Sequence, residues 1–307
     1  MTAMTSTAAT STAVTTTSNP VSGLTAIDMR VQPSWRWDKD DAKPQRPATL
    51  GGYDRVYGEE FRDHNTHASL VADLRRHKIR AVVQSEPING EAAASNDRVA
   101  EVIARTPDCF LAGFGSADPR DGLKALREID RFHRELGLCG LAMMADFFKM
   151  DIADKRCWPL YAKAAELGLP VGIHVGINFS TNSPIRHGHP SFVDELACHY
   201  PELIIICNHG GWPWAAETVA VAWKHPNVYL EFGAIAPKYL ASSEGGWQPM
   251  RQFMNSVLQD RILFGSDWPM LSHDRLMDEI PLLQLKDKVL EKYLKKNAET
   301  LLDRILG

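Results

Sequence analysis

No run of apolar residues in this chain approaches the roughly 20 needed to cross a bilayer, and its first residues lack the basic start and apolar centre of a secretory signal. Nor is charge of one sign concentrated anywhere. Its 34 Lys and Arg and 38 Asp and Glu are interspersed for a formal net charge of -4, which leaves no basic stripe for nucleic acid and no polybasic membrane patch. Cysteine is sparse and unpatterned. The five residues Cys109, Cys139, Cys157, Cys198 and Cys207 form no CxxC spacing, and an odd number suits a disulfide framework poorly. They read as reduced, mostly buried thiols, so the expected compartment is the cytoplasm. What these absences leave as a partner is a small molecule or another protein.

Residues 1–25, MTAMTSTAATSTAVTTTSNPVSGLT, carry no charge and are dominated by Thr, Ser and Ala. They offer little to a core and are expected to form a flexible tail, or else an arm that orders against a partner subunit. From residue 26 to 307 short apolar runs alternate with amphipathic stretches, and no interior stretch rich in Pro, Gly and Ser marks a second domain. The expected strands are Ala26–Met29, Ala81–Val83, Phe110–Phe114, Gly140–Met143, Val171–His174, Leu203–Cys207, Val228–Leu230 and Ile262–Phe264. Between them, His67–His77, Asp97–Arg105, Gly122–Leu136 and Trp158–Leu167 repeat apolar residues at spacings of three and four and stop near Gly137, Gly168 or Pro107. Eight such units in about 280 residues predict a single (β/α)8 barrel, the TIM-barrel architecture.

In such barrels the chemistry sits where the C-terminal ends of the strands converge. Arg30 and Gln32 close the first strand in IDMRVQP, His174 closes the fifth in VGIHVG, His209 follows the sixth in NHGGWPW, and Asp267 follows the eighth in LFGSDWP. Imidazole and carboxylate can share a divalent ion or move protons without one. Gly210 and Gly211 are expected to let backbone or substrate approach, and Pro269 to open the next helix. Trp35, Trp37, Trp212, Trp214 and Trp268 fall near strand ends, as pocket walls or as plugging core. In PIRHGHP, Arg186, His187 and His189 read as a solvated loop, with a substrate lid as the alternative; His64 and His67 read as surface residues, and Asp28 as a brace of the first strand.

Taken in order, IDMRVQP, GLPVGIHVG, NHGGWPW, LFGSDWPM and the closing NAETLLDRIL resemble the second amidohydrolase family. That family includes aminocarboxymuconate-semialdehyde decarboxylase, aromatic-acid decarboxylases, hydratases and lactone hydrolases. The likeness covers nearly the whole chain after residue 25. It implies an amidohydrolase-superfamily barrel in which His174 is a metal-ligand position, Asp267 a ligand or acid/base position, and His209 the histidine that orients water or substrate, with a homodimer, or a hetero-oligomer with a related barrel, as the assembly. Two features depart from the family pattern. Arg30 and Gln32 stand where its His-X-His would be, and the fourth strand ends in Met143 and Met144, with no lysine to bridge two metals.

Arg30 has no lone pair to offer an ion and stays protonated. Two positive charges about 4 Å apart cost roughly 4 kcal/mol at an effective dielectric near 20, and a divalent ion roughly doubles that. The expected cofactor is therefore none, or a single divalent metal, zinc foremost, held by His174, His209 and Asp267. Arg30 and Gln32 serve more naturally to grip a substrate carboxylate, or Arg30 simply neutralises Asp267 in an inactive barrel. A pyrone-dicarboxylate lactone hydrolase of the family is understood to work without metal.

Three functions stay open. One is a hydrolase or decarboxylase of a small carboxylated or lactone substrate, with Asp267 as acid or base, His209 and His174 as orienting and polarising groups, and Arg30, Gln32, Trp212 and Trp268 against the substrate. A second is the supporting subunit of a hetero-oligomer whose partner holds the metal, as in a hydroxylase of 2-aminoisobutyrate. The third is a mononuclear metal enzyme using His174, His209 and Asp267.

Overall fold

The computed structural model describes residues 26–32, 56, 66–87 and 92–306. The expected tail, Trp35, Trp37 and His64 lie outside them. Eight parallel strands follow one another around the sheet in chain order: β1 Ala26–Val31, β2 Ile79–Gln84, β3 Phe110–Gly115, β4 Gly140–Met143, β5 Val171–His174, β6 Ile205–Asn208, β7 Val228–Glu231 and β8 Ile262–Leu263. Three backbone hydrogen bonds of 2.9 Å close the barrel, from Met29 N–H to Phe264 O, Asp267 N–H to Arg30 O and Gln32 N–H to Trp268 O. The (β/α)8 barrel expected from the punctuation is the fold.

The helix His67–His77 falls on its expected residues because both ends are chemically marked. The Thr66 side chain accepts from Ser69 N–H at 3.1 Å, and Lys78 ends the helix in the left-handed region. The next helix begins at Ala92, five residues before the expected Asp97. Its first turns bury Ser95 and Asn96, polar residues that hide the apolar period; the Asn96 amide is spent on the backbone of Ser116 at 2.7 and 2.8 Å. The sixth strand starts at Ile205, because Leu203 is still tied back to Tyr200. Pro269 does not open a helix: the following one, His273–Glu279, is capped by Ser272.

Side chains of the barrel interior set the level of the site. Ile27, Met29, Val82, Ala112, Phe114, Ala142, Ile206 and Leu263 fill the lower interior against Ala298, Leu301 and Leu302 of the C-terminal helix Asn297–Leu306. Ala26, Val31, Ala81 and Val83 pack into the outer layer beneath the helices. Strict alternation from Ile27 and Met29 would turn Arg30 outward. The register between β1 and β2 shifts between Asp28 and Val31, and this irregularity resets the phase, so that Arg30 and Gln32 both face the mouth. Re-aiming a side chain beside a site is a recurring use of such bulges.

Candidate functional site

The C-terminal mouth holds one cavity of about 680 Å³ lined by Arg30, Gln32, Glu86, His174, His209 and Asp267, among others. Its upper walls are mostly apolar, including Met144, Ile177, Phe179, Trp212, Ile235 and Trp247. Strained backbone delivers two of the polar groups. His209 and Asp267 are non-glycine residues at φ 69° and 55°, conformations that cost on the order of 1–3 kcal/mol each and persist where the surroundings over-determine them. At Asp267 the surroundings are visible. Asp28, fully buried, accepts from the backbone N–H of both Arg30 and Ser266 at 3.0 Å and pairs with His273 Nε2 at 2.8 Å. One carboxylate thereby fixes the end of β1 to the turn that carries Asp267. Burial would lower the pKa of His273, but its hydrogen bonds to Asp28 and Asp73 outweigh that and hold it up at about 9.

Arg30 occupies the centre of the floor with its side chain 2% exposed. Its Nε donates to Asp267 Oδ1 at 2.6 Å, one terminal nitrogen to Gln84 Oε1 at 2.6 Å, and the other contacts Met144 Sδ at 3.7 Å. Gln32 Nε2 donates to the same Asp267 oxygen at 2.8 Å. Burial alone would weaken the guanidinium's hold on its proton, but Asp267, Glu231 and Glu86 more than offset this and keep Arg30 cationic. Of its five N–H groups, three are engaged by these contacts, which leaves about two for a ligand.

The imidazoles of His174 and His209 lie side by side, ring centres 4.6 Å apart. His209 Nδ1 faces Gly233 O at 2.8 Å and His174 Nε2 faces Ile177 O at 3.2 Å. A carbonyl oxygen only accepts, so those nitrogens carry hydrogens, and in the neutral form of His209 the lone pair is on Nε2. Burial, with His174 and Arg30 nearby, pushes the His209 pKa well below the ordinary histidine value, so the ring is neutral.

Two carboxyls the sequence reading passed over complete the floor. Glu86, two residues past β2, lines the cavity, and burial beside Asp267 raises its pKa to about 8 against the pull of Arg30. Glu231 at the end of β7 is fully buried below; burial also raises it to about 8, and its Oε1 accepts from Gly233 N–H. A Cβ on Gly265 would overlap Glu231, so the glycine of LFGSDWP serves space. One guanidinium can neutralise one carboxylate, and Asp267 takes it by direct contact. The neighbours keep their protons. Glu86 was legible only as an acidic residue just past a strand end, in QSEP.

Several expectations are corrected. Trp268 is 4% exposed, packs in the core and is not among the cavity's lining residues, whereas Trp212 lines the wall with its Nε1–H donated to Gly245 O at 2.8 Å. Trp247, not singled out from the sequence, lines it too. Trp214 lies outside the cavity lining and packs against His189. Gly210 and Gly211 make room for protein: a Cβ at either would collide with Phe232 or Thr218. His187 is buried, 3.1 Å from Ser183 Oγ, and is no solvated loop residue. His67 is only partly exposed and meets Thr106 Oγ1 at 2.8 Å.

The amidohydrolase family model matches residues 27–304. The chain belongs to the amidohydrolase family. Among its relatives, a γ-resorcylate decarboxylase of Polaromonas is 25% identical over 263 residues, 70% of this chain and 77% of that one. A γ-resorcylate decarboxylase of Rhodococcus jostii is 23% identical over 288 residues, 79% and 85% of the two chains. Among solved structures, an uncharacterised TIM-barrel protein of Bordetella bronchiseptica superposes with a TM-score of 0.73 at 25% identity, over 92% of this chain and all of that one (100%). A 5-carboxyvanillate decarboxylase of Novosphingobium aromaticivorans, solved with bound manganese, gives 0.63 at 17% identity, over 91% of this chain and 96% of that one.

The donor set of this amidohydrolase does not fit a divalent ion. Among the described residues, the groups of three or more ligating side chains whose atoms lie within 4.8 Å of one another are Asp194, Cys198 and His225, and Asp73, His77 and Asp274. His174, His209 and Asp267 do not form such a group, and Asp267 Oδ1 is already occupied by Arg30 and Gln32. An ion there would face the guanidinium directly. Each of these two groups holds a cation of its own, Lys224 at 2.7 Å from Asp194 and Arg76 at 2.8 Å from Asp274.

Proposed function

We propose that this amidohydrolase is a carboxy-lyase that removes CO2 from a small carboxylated aromatic substrate, with the Arg30 guanidinium as the cation of its site. The observation that carries the reading is the buried Arg30–Asp267 pair at 2.6 Å, which shares one cavity with His174 and His209. The decarboxylase relatives support the reaction class.

Each group then has a task. The free N–H groups of Arg30 bind the substrate anion, with Gln32 beside them. Asp267, held by both, orients the guanidinium. His209 Nε2 accepts a hydrogen bond from a ring hydroxyl of the substrate, with His174 beside it. Met144, Ile177, Phe179 and Trp212 cover the ring and exclude water, and a carboxylate stripped of its hydration shell loses CO2 more readily than one in water. The chain works in the cytoplasm and alone or as a homodimer, without a metal-bearing partner barrel.

The test is a panel of hydroxylated benzoates, 2,6-dihydroxybenzoate and 5-carboxyvanillate among them, and lactones, assayed for CO2 release and ring opening with and without chelator. Expected is CO2 release insensitive to chelator and lost in Arg30→Gln. Lactone opening in place of CO2 release would make the protein a hydrolase; turnover only in the presence of a related barrel chain would make it a supporting subunit.

A further inference from the structure

Within the carboxy-lyase reading, on which this inference rests, the reaction needs a proton at the ring carbon that loses CO2, and the groups named so far do not supply one. Asp267 is clamped by two donors on one oxygen, His209 has given its only N–H to Gly233 O, and His174 turns Nε2 to Ile177 O. Glu231 carries a proton but lies beneath the floor and does not line the cavity.

Glu86 is differently placed. It follows β2, the strand paired to β1 through Val31 and Val83, so it stands at the mouth beside the end that presents Arg30. It lines the same cavity as Arg30, His174, His209 and Asp267. Its carboxyl makes no hydrogen bond or ion pair among the described residues, although it is only partly exposed. A carboxyl open to a cavity and tied to none of the described residues is free to give its proton to a bound molecule. The charged or titratable groups that act on it are Asp267, Arg30 and Asp146; Asp267 is spent on Arg30, so the net surroundings disfavour a second carboxylate.

We propose that Glu86 is the catalytic acid that protonates the ring carbon bearing the departing carboxylate. The Glu86 O–H bond breaks as a π pair of the ring forms the new C–H bond. The C–C bond to the carboxylate then breaks, its electron pair returns to the ring, and CO2 leaves. Glu86, now a carboxylate, regains its proton from water, so one proton is consumed per CO2 released. Arg30 holds the substrate anion against the floor throughout, and Glu86 approaches from the β2 side.

The experiment compares wild type, Glu86→Gln and Glu86→Asp in two measurements. Affinity for benzoate, an unreactive anion, is followed from pH 6 to 9.5. The wild type is expected to bind progressively more weakly above about pH 8, as a second negative charge appears in the cavity, and Glu86→Gln to show no such step. Turnover of the best substrate at pH 7 is expected to fall about 10²–10⁴-fold in Glu86→Gln with benzoate affinity kept within about threefold, and to recover in part in Glu86→Asp. A pH step that survives in Glu86→Gln, or turnover within about threefold of wild type in that variant, overturns the assignment while leaving the carboxy-lyase reading intact. Absence of CO2 release by the wild type overturns both.

Discussion

Removing the guanidinium while keeping its apolar stem, as in Arg30→Met, exposes how much of the floor depends on one cation. The Arg30–Asp267 contact is 2.6 Å between atoms that are both almost fully buried. At about 3 Å and an effective dielectric near 20, the pair attraction is roughly 5 kcal/mol, and breaking one side of a buried pair costs about 3–5 kcal/mol because the other charge is left stranded. Arg30→Met should therefore lose about 3–5 kcal/mol at pH 7, and Asp267→Asn a comparable amount for the opposite charge. The double variant strands neither, so its cost should fall short of the sum by about 2–3 kcal/mol. The loss in Arg30→Met should also shrink toward pH 5. Burial already raises the Asp267 pKa; without Arg30 it rises further, and a carboxyl raised above its unfolded value is relatively stabilised as pH falls. Urea denaturation of the four proteins at both pH values measures all of this. Additive costs, or an Arg30→Met variant within about 1 kcal/mol of wild type, would refute the claim that the pair forms the electrostatic centre of the site.

The remaining predictions concern the supporting groups. His273, raised from 6.5 to about 9, contributes stability that is fully present below pH 6.5 and lost as pH rises through 9, about 3 kcal/mol in all; a denaturation midpoint followed from pH 6 to 10 should fall, and fall less in His273→Asn. Glu231, raised from 4.5 to about 8, contributes stability present below pH 4.5 and lost as pH climbs to 8, so Glu231→Gln should gain on wild type by up to about 1.4 kcal/mol per pH unit between pH 4.5 and 8 and gain no more above it. An equal slope in both proteins would show that Glu231 does not titrate there. Gly211→Ala should cost more than about 1 kcal/mol in a thermal melt, because its methyl would meet Thr218 and its φ of 80° is unfavourable for alanine.

The sequence announced the barrel because each strand is bounded by chemistry that acts locally. The stop at Gly168 before LPVGIH and the cap at Thr66 before His67 need no knowledge of the rest of the chain. The strand-end residues Arg30, His174, His209 and Asp267 were likewise legible from position, and they do line one cavity. What escaped depends on neighbours distant in sequence. Trp268 and Trp212 follow equivalent strand ends, yet Trp268 turns into the core and Trp212 into the cavity wall. Glu86 and Glu231 look like ordinary acidic residues until the fold sets them around a single guanidinium already taken by Asp267. Asn208, buried at the end of β6 with both amide atoms unpartnered among protein groups, reads in sequence as the residue before a histidine. The fold sets its amide and that of Gln84, the partner of Arg30, against Gly172, where ordered water would satisfy it.

Whether a guanidinium has taken the place of an ion is tested most directly by metal content. Elemental analysis of protein purified without chelator, paired with its turnover before and after chelator treatment, is predicted to give well under one equivalent of any divalent metal and an unchanged rate. One retained equivalent of zinc or manganese that disappears in His174→Ala, together with activity lost to chelator, would contradict it.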